Sequence, residues 1–393
     1  MIKIYRNVIM QTYSKKELTL ELLSFYYKWK KRYLRTVKNS FPTKEYLFDT
    51  LEFSTENNAV TSSAAMGYGM IIFAIMSKFD ATAKKHFNNL YNFVNAYPSI
   101  YNDNLMAWQQ IITDKGEIIN IKPKTASTTN SDMDICYGLL IANKLWRKKD
   151  NINYKKEALK RINALMISCV DKKDYILNLG DWVNTNINSK FKGITRSSDF
   201  SIYILKEFVK ADRKNSKNWR NVIKKINSII NNQMNRESKM NGLMPDFFVK
   251  DKNEFIAPKG KVLETIHDGD YYYYSCQTPW RYSMDILLDK AHITNQLSTL
   301  NNWIITKTNS NPKNIVSGYY VANSTPGKPF GNSNDLSFIA PFLVSSLIQR
   351  KNKMWTIKLW KTLTNTPIED SLFYGNTLKL MAMIVATGNW IKI

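Results

Sequence analysis

Aromatic residues and carboxylate or amide side chains are concentrated in five short stretches of the sequence. They are residues 104–108 (NLMAW), 130–134 (NSDMD), 180–182 (GDW), 199–200 (DF) and 271–274 (YYYY). Pyranose sugars offer apolar C–H faces to aromatic rings, and their hydroxyls hydrogen-bond to amides and carboxylates. The pairing therefore indicates a carbohydrate ligand, while the same rings would also suit the packed interior of a helical protein.

Residues for several other chemistries are missing or wrongly spaced. Metal-ligand spacing is absent, so we predict no metal site among His86, His267 and His292. Three scattered cysteines do not make a disulfide framework, and we expect buried thiols at Cys136, Cys169 and Cys276. The sequence has no glycine-rich phosphate loop and no Ser/His/Asp order, so we expect no cofactor and no acyl transfer.

The chain is strongly basic, with 56 Lys and Arg against 32 Asp and Glu and a net charge of +24. This charge brings nucleic acid, anionic membranes and acidic polymers into consideration as partners. The longest clusters, residues 28–35 (KWKKRYLR) and 147–150 (RKKD), lie in helix-like stretches and are interpreted as solvated helix faces. We therefore predict no nucleic-acid binding, and an anionic cell-surface polymer as a possible partner of the basic surface.

The N-terminal stretch MIKIYRNVIMQTYSKKEL has a basic start but no apolar core and no small-residue cleavage site. Either the protein stays inside the cell, or an export signal has been removed ahead of residue 1. No apolar run approaches the roughly 18–20 residues of a membrane span. We therefore expect a soluble protein without a membrane span.

The elements that must position the sugar-binding stretches are predicted to be mainly helices, because their apolar residues recur with helical periodicity. One class of segment is apolar nearly all round, which predicts buried helices at 66–79, 133–146, 200–209, 279–288, 336–348 and 374–386. The other class is amphipathic and rich in lysine, which predicts covering helices at 16–35, 82–93, 154–168, 219–234, 293–306 and 354–363. Six inner and six outer helices therefore alternate along the chain.

Such alternation fits a ring of helical hairpins whose inner helices form the wall of a barrel. The loops that enter the inner helices would then converge on one face as an open groove. A generic α-solenoid or two helical bundles would be the alternative, but the sequence has no repeat of fixed period. No Pro, Gly or Ser-rich linker divides the chain, so we predict one domain over residues 1–393.

Five motifs spread over the chain resemble those of glycoside hydrolase family 8. They are residues 62–70 (SSAAMGYGM), 128–146 (TTNSDMDICYGLLIANKLW), 242–246 (GLMPD), 274–281 (YSCQTPWR) and 374–390 (YGNTLKLMAMIVATGNW). The resemblance implies an all-α fold, a six-hairpin α/α toroid or (α/α)6 barrel. It also implies inverting endo-hydrolysis of a β-1,4-linked glycan such as cellulose, a modified cellulose, chitosan or xylan.

The same resemblance implies that the catalytic carboxylates have been replaced. The general-acid position is Ala64 and the base position is Tyr274, while Asn130 and Gln277 replace a further Asp and an Arg of the motifs. Inverting hydrolysis needs two carboxyl groups roughly 6.5–9.5 Å apart. Alanine has no proton to give, and tyrosine, with a pKa of about 10, is a poor base at neutral pH. Each loss typically removes about 10²–10⁴-fold of rate, so we predict an inactive or strongly impaired enzyme.

Two explanations of Ala64 stay open. Natural loss of the site would explain all four replacements. Alternatively, the protein is an active endo-β-1,4-glucanase in which the catalytic Glu at position 64 alone was replaced. In that second case Asp268 or Asp270 would serve as a relocated base. A non-catalytic exopolysaccharide-binding protein is a further alternative.

We expect the glycan to stack on Trp108, Trp182 and Tyr374. Its expected polar contacts are Asn130, Asp132, Gln277 and Arg281, with Tyr68 completing the substrate-binding set. The resemblance also implies a monomer that works outside the cell or at its surface, with the export signal absent from this chain. The partner is then a β-1,4-glucan oligosaccharide or polysaccharide.

Overall fold

The computed structural model describes residues 7–49, 59–122, 124–147, 152–186, 189–290, 292–322 and 325–393. After a short α1 (Val8–Thr12), twelve longer helices follow one another in the described ranges. They are α2 (Lys15–Tyr33), α3 (Ser63–Met76), α4 (Ala83–Ala96), α5 (Thr129–Trp146), α6 (Tyr154–Ser168), α7 (Ile202–Ala211), α8 (Ser216–Arg236), α9 (Thr278–Asp289), α10 (Asn295–Lys307), α11 (Leu336–Ser346), α12 (Lys353–Asn365) and α13 (Phe373–Ala386). Within these ranges no helix combines the length and the apolar character needed to cross a bilayer.

The twelve helices coincide with the predicted inner and outer segments, in the predicted alternation. Four inner helices, α3, α5, α11 and α13, are buried over nearly their whole length, as expected from their all-round apolar sequences. The segment predicted as buried in α7, residues 200–209, has no exposed residue. The prediction was wrong for the second half of α9, which is only half-buried from Asp285 to Leu288.

Four small antiparallel sheets, which the sequence analysis did not predict, lie in the connections between helices. The strands are β1 (Leu34–Thr36), β2 (Glu45–Leu47), β3 (Ala59–Ser62), β4 (Gln109–Ile112), β5 (Ile118–Asn120), β6 (Val170–Asp171), β7 (Ile176–Leu177), β8 (Ile194–Arg196), β9 (Phe247–Asp251) and β10 (Glu254–Ile256). They pair as β1-β2, β3-β4-β5, β6-β7 and β10-β9-β8. Strand β3 runs directly into α3 and β9 follows the GLMPD motif, so the sheets hold the loops that carry the predicted site.

Residue contacts divide the chain into two compact units. Unit I comprises Met1–Tyr26, Gly193–Tyr203 and Asn221–Lys392, and unit II comprises Tyr27–Lys192, Ile204–Arg220 and Ile393. The single domain over residues 1–393 stays a prediction.

In unit II, α3 packs on α5, and these two inner helices carry α4 and α6 on their outer sides. The close approach of α3 to α5 depends on Gly67. A Cβ at Gly67 would lie 2.9 Å from the Cβ of Asp134 and 3.0 Å from the carbonyl oxygen of Ser131. The glycine of the GYGM sequence therefore lets α3 lie against the helix that carries Asn130.

In unit I, α11 is the central inner helix and contacts α9, α12 and α13. Asn301 of α10 is fastened to α11 by two hydrogen bonds with Ser345, at 3.0 and 2.7 Å. The N-terminus is held by Asn7, whose side-chain amide donates to the carbonyl oxygen of Ala386 at 2.9 Å. These contacts fix the helices of unit I, which hold the loop before α9.

Candidate active site

Ala64 is the second residue of α3, and its side chain is half-buried. Ser62 caps this helix, because its hydroxyl accepts a hydrogen bond from the amide of Ala65 at 3.3 Å. The same hydroxyl donates to Oδ2 of Asp49 at 2.6 Å. A carboxyl group therefore stands at the start of the helix whose predicted acid position is alanine.

Asp49 is half-buried, and its environment favours the protonated form. Burial raises the pKa of Asp49 to about 6, while the hydrogen bond from Ser62 opposes that rise. A carboxyl group with this pKa is partly protonated near neutral pH, which is the state that a proton donor needs.

Trp108 and Asn130 are connected to the start of α3. The carbonyl oxygen of Trp108 accepts from the amide of Ser63 at 2.8 Å. The hydroxyl of Ser63 lies 3.3 Å from that of Thr128, which donates to Ser131, and the amide of Ser131 donates to Oδ1 of Asn130 at 2.9 Å. The structure therefore brings Ala64, Trp108 and Asn130 into one part of unit II.

Trp182 is held against this region by the GDW loop. A Cβ at Gly180 would lie 2.1 Å from the carbonyl oxygen of Ser127, so only glycine permits this approach. Asp181 accepts from the amide of Ser127 at 2.9 Å and from the hydroxyl of Ser99 at 2.5 Å. The half-buried ring of Trp182 meets Phe191 edge-on, with 4.9 Å between ring centroids. Part of the indole remains open to a ligand.

The substrate contacts predicted for Asp132 and Tyr68 are not supported by their surroundings. Asp132 is fully buried, its carboxylate accepts from the amide of Met106 at 3.1 Å, and Arg161 lies 3.8 Å away. Burial raises the pKa of Asp132 to about 8, with Arg161 as the main opposing influence. Tyr68 is 2% exposed inside α3. Both side chains brace the helices and leave no surface for a sugar.

In unit I, the loop that carries Tyr274 is organised by Asp246 of the GLMPD motif. One oxygen of Asp246 accepts from the amides of Tyr272, Tyr274 and Ser275 and from the hydroxyl of Ser275, at 2.6–3.2 Å. Burial raises the pKa of Asp246 to about 7, although these hydrogen bonds oppose the rise. Asp246 therefore sets the backbone position of residue 274.

Tyr274 is surrounded by Arg196, Phe247 and Glu264. The guanidinium of Arg196 lies 4.4 Å from the centroid of the Tyr274 ring, and Phe247 meets that ring at 5.3 Å. The hydroxyl of Tyr274 donates to Oε1 of Glu264 at 3.1 Å. Burial raises the pKa of Tyr274 well above its usual range, with Arg196 opposing and Glu264 adding to the rise. This phenol holds its proton firmly and cannot serve as a base near neutral pH.

Arg196 is itself unusual, because it is only 4% exposed and its Nε finds no hydrogen-bond acceptor among the residues that the structure describes. Strand β8 places it opposite Phe247 of β9. A buried guanidinium N–H without an acceptor is costly, since the group has lost its water. Arg196 therefore brings a buried positive charge next to the side chain of residue 274.

The expected sugar contacts of Gln277 and Arg281 are not supported by their surroundings. Arg281 is fully buried, and donates from Nε to Oε1 of Gln277 at 2.7 Å and from Nη1 to Ser201 at 2.9 Å. Gln277 is 3% exposed and donates to the hydroxyl of Tyr374 at 2.8 Å. That hydroxyl donates to the carbonyl oxygen of Tyr273 at 3.0 Å. Gln277 thus joins Arg281 to Tyr374, whose ring keeps 8% of its surface exposed.

Neither Asp268 nor Asp270 has the exposure that a relocated base requires, so these contacts do not support that role. Asp268 is 1% exposed, and its two oxygens accept from the amides of Val262, Leu263, Glu264 and Thr265 at 2.7–3.0 Å. Asp270 is fully buried, accepts from the amide of Val321 at 2.9 Å and pairs with His267 at 3.1 Å. Asp268 therefore shapes the turn that presents Glu264.

The sequence analysis missed the groups that surround the two predicted catalytic positions. These are Asp49 in unit II and Arg196, Asp246 and Glu264 in unit I. Of these four residues, only Asp246 belongs to one of the motifs in the sequence analysis, GLMPD at 242–246. Within the described ranges, no group of three or more His, Cys, Asp and Glu side chains could hold a metal ion.

Comparison with known proteins gives one consistent relationship. The sequence matches the profile described as "Glycosyl hydrolases family 8" over residues 1–388. It is 37% identical over 363 residues to a β-glucanase of Niallia circulans, spanning 92% of this chain and 83% of that protein. An endoglucanase of Bacillus sp. strain KSM-330 is 30% identical over 384 residues, spanning 96% of this chain and 78% of that protein.

The structure is similar to the apo structure of a β-1,3-1,4-glucanase from Paenibacillus sp. X4. The TM-score is 0.88 at 34% sequence identity, over 100% of this chain and 96% of that one. The predicted fold class, an all-α (α/α)6 barrel, is confirmed by this similarity.

Proposed function

Because the chain belongs to glycosyl hydrolase family 8, as its motifs predicted, we propose that it binds a β-linked glucan and hydrolyses it weakly or not at all. Its relatives include proteins named β-glucanase and endoglucanase, and its structural relative is named a β-1,3-1,4-glucanase. A glucan that contains β-1,4 linkages is therefore the ligand class. The half-buried rings of Trp108 and Trp182 are the stacking surfaces in unit II.

The environment of Tyr274 carries the proposal of lost hydrolysis. An aspartate at this position would lie near the buried Arg196, whose positive charge would favour the ionised carboxylate. The phenol that is present instead keeps its proton and donates a hydrogen bond to Glu264. The residues that would position a base are retained around residue 274, but Tyr274 itself cannot act as a base. This combination favours natural loss of the site.

A second candidate is residual hydrolysis by substitute carboxyl groups. Asp49 is linked through Ser62 to the helix that carries Ala64, and Glu264 contacts the hydroxyl of Tyr274. In this case Asp49 would act as the proton donor near Ala64, and Glu264 would act as the proton acceptor near Tyr274. Any activity should then be lost in both Asp49→Asn and Glu264→Gln.

Calorimetry and a reducing-sugar assay test the proposal together. The chain should bind cellohexaose or mixed-linkage β-glucan, and Trp182→Ala should weaken binding by about 1–3 kcal/mol, the range for a stacking aromatic. Trp146→Ala is the matched control, since Trp146 ends α5 and packs on Phe87 and Tyr154. Absence of binding to every β-1,4-linked glycan would reject the glucan assignment.

The remaining expectations belong to the same proposal. We propose that the protein is a monomer that works outside the cell or at its surface, where its glucan ligand would be found. The basic surface would contact an anionic cell-surface component. Size-exclusion chromatography with light scattering tests the monomer, and cell fractionation tests the location.

A further inference from the structure

A strongly basic surface covers the end of α2 and the β1-β2 hairpin that follows it. Residues 27–44, which we call the basic hairpin surface, contain seven Lys or Arg and no Asp or Glu. The next acidic side chain, Glu45, is buried and pairs with His86 at 2.8 Å. This stretch therefore presents positive charge without an acidic residue of its own.

Most of this charge is not neutralised by neighbouring elements. Lys30 pairs with Asp80 at 2.6 Å, and Arg35 donates to the carbonyl oxygen of Leu34 at 3.0 Å. Lys28, Lys31 and Lys38 are exposed and form no ion pair with any residue in the described part of the chain. Together with exposed Arg35, they are available to an anionic partner.

The tip of the hairpin presents an aromatic ring to solvent. Phe41 is 97% exposed, and Tyr27 of α2 is 43% exposed. Each ring therefore has apolar surface in water that a partner could bury. The basic hairpin surface thus combines four available cations with two aromatic rings.

Hydrogen bonds hold the tip in place. The hydroxyl of Ser40 donates to the carbonyl oxygen of Val37 and accepts from the amide of Lys44, both at 3.0 Å. Helix α4 supports the loop, because the amide of Asn92 donates to the carbonyl oxygen of Thr43 at 3.0 Å. Phe41 is therefore held outward by an ordered turn, and little conformational freedom would be lost when a partner covers it.

We propose that the basic hairpin surface docks on an anionic lipid bilayer, with Phe41 entering the interface and the lysines facing lipid phosphates. A bilayer satisfies both features of the surface, since it offers negative charge and an apolar layer beneath it. A polyanion alone would use the lysines and leave the phenyl ring in water. The net charge of +24 would add long-range attraction to the same membrane. This inference is independent of glucan binding.

Co-sedimentation with lipid vesicles tests the proposal. Binding to vesicles of phosphatidylglycerol and phosphatidylcholine should exceed binding to phosphatidylcholine alone and should fall with salt. Phe41→Ser should weaken it by about tenfold, and K28Q/K31Q/R35Q/K38Q by about a hundredfold or more. Circular dichroism and thermal unfolding check that each variant folds.

Two control variants separate this surface from general effects. Met240→Ser removes an 81% exposed apolar side chain elsewhere. R213Q/K214Q/K217Q/R220Q removes the same number of exposed charges from the turn before α8 and from its first turns. Both should bind vesicles nearly as well as the parent. Equal losses in the two charge variants would overturn the proposal, because net charge alone would then explain binding.

Other results would also contradict it. Absence of binding to anionic vesicles, or binding that Phe41→Ser leaves unchanged, would remove the bilayer from consideration. Tight binding to polyphosphate without vesicle binding would assign the lysines to a soluble polyanion. A Phe41→Ser variant that loses cellohexaose affinity but keeps vesicle binding would assign the ring to the glycan instead.

Discussion

Replacing Asp246 by asparagine should remove a specific part of the pH dependence of stability. The folded-state pKa of about 7 lies above the ordinary value of 3.8, so between these values the folded protein holds a proton that the unfolded chain has lost. A raised carboxyl pKa stabilises the fold at low pH, and that contribution disappears as pH rises through about 7. At about 1.4 kcal/mol per pKa unit, Asp246 contributes about 3 kcal/mol at pH 5 and almost nothing at pH 8.

The assay is urea unfolding of the parent and Asp246→Asn at pH 5, 6, 7 and 8. Asparagine keeps an oxygen for the amides of Tyr272, Tyr274 and Ser275 but has no proton to lose. The stability difference between parent and variant should therefore change by about 2–3 kcal/mol from pH 5 to pH 8. Asp114→Asn, at an exposed turn, is the control. Parallel pH profiles for parent and Asp246→Asn would refute the idea that burial keeps Asp246 protonated.

Three further variants probe unit II. Arg161→Met should destabilise the fold by about 3–5 kcal/mol at pH 9, where Asp132 is charged and loses its partner. The loss should be smaller at pH 6, where Asp132 is protonated, and denaturant unfolding at both pH values measures it. Gly180→Ala should lower the thermal unfolding midpoint and weaken glucan binding, because its Cβ would meet the carbonyl oxygen of Ser127. In calorimetry, Trp108→Ala should reduce cellohexaose affinity by about 1–3 kcal/mol; an unchanged affinity would remove Trp108 from the ligand surface.

The helices were predictable because their apolar residues recur with helical spacing over ten or more residues. The strands were not, since segments of two to five residues such as β6 and β9 are too short to show alternation. The burial of Asp132 also could not be predicted from the sequence. It depends on Arg161, which reaches it from α6, 29 residues further along the chain.

The catalytic positions were located through family motifs, whereas their surroundings needed the fold. Arg196 reaches Tyr274 from a strand 78 residues earlier, and Asp49 reaches the start of α3 from the far side of residues 50–58. Spacing along the chain could not indicate either contact. The relocated base stays a prediction that the contacts do not support, because Asp268 bonds to the turn that places Glu264 beside Tyr274.

Restoring the two carboxyl groups tests the central claim most directly. The parent, Ala64→Glu, Tyr274→Asp and the double variant would be assayed on soluble mixed-linkage β-glucan, with the anomer of the product followed by NMR. Natural loss of the site predicts that the parent and both single variants are inert and that the double variant cleaves with inversion, helped by Arg196 beside the new Asp. Activity from Ala64→Glu alone, or robust turnover by the parent with contaminating glucanase excluded, would contradict the claim.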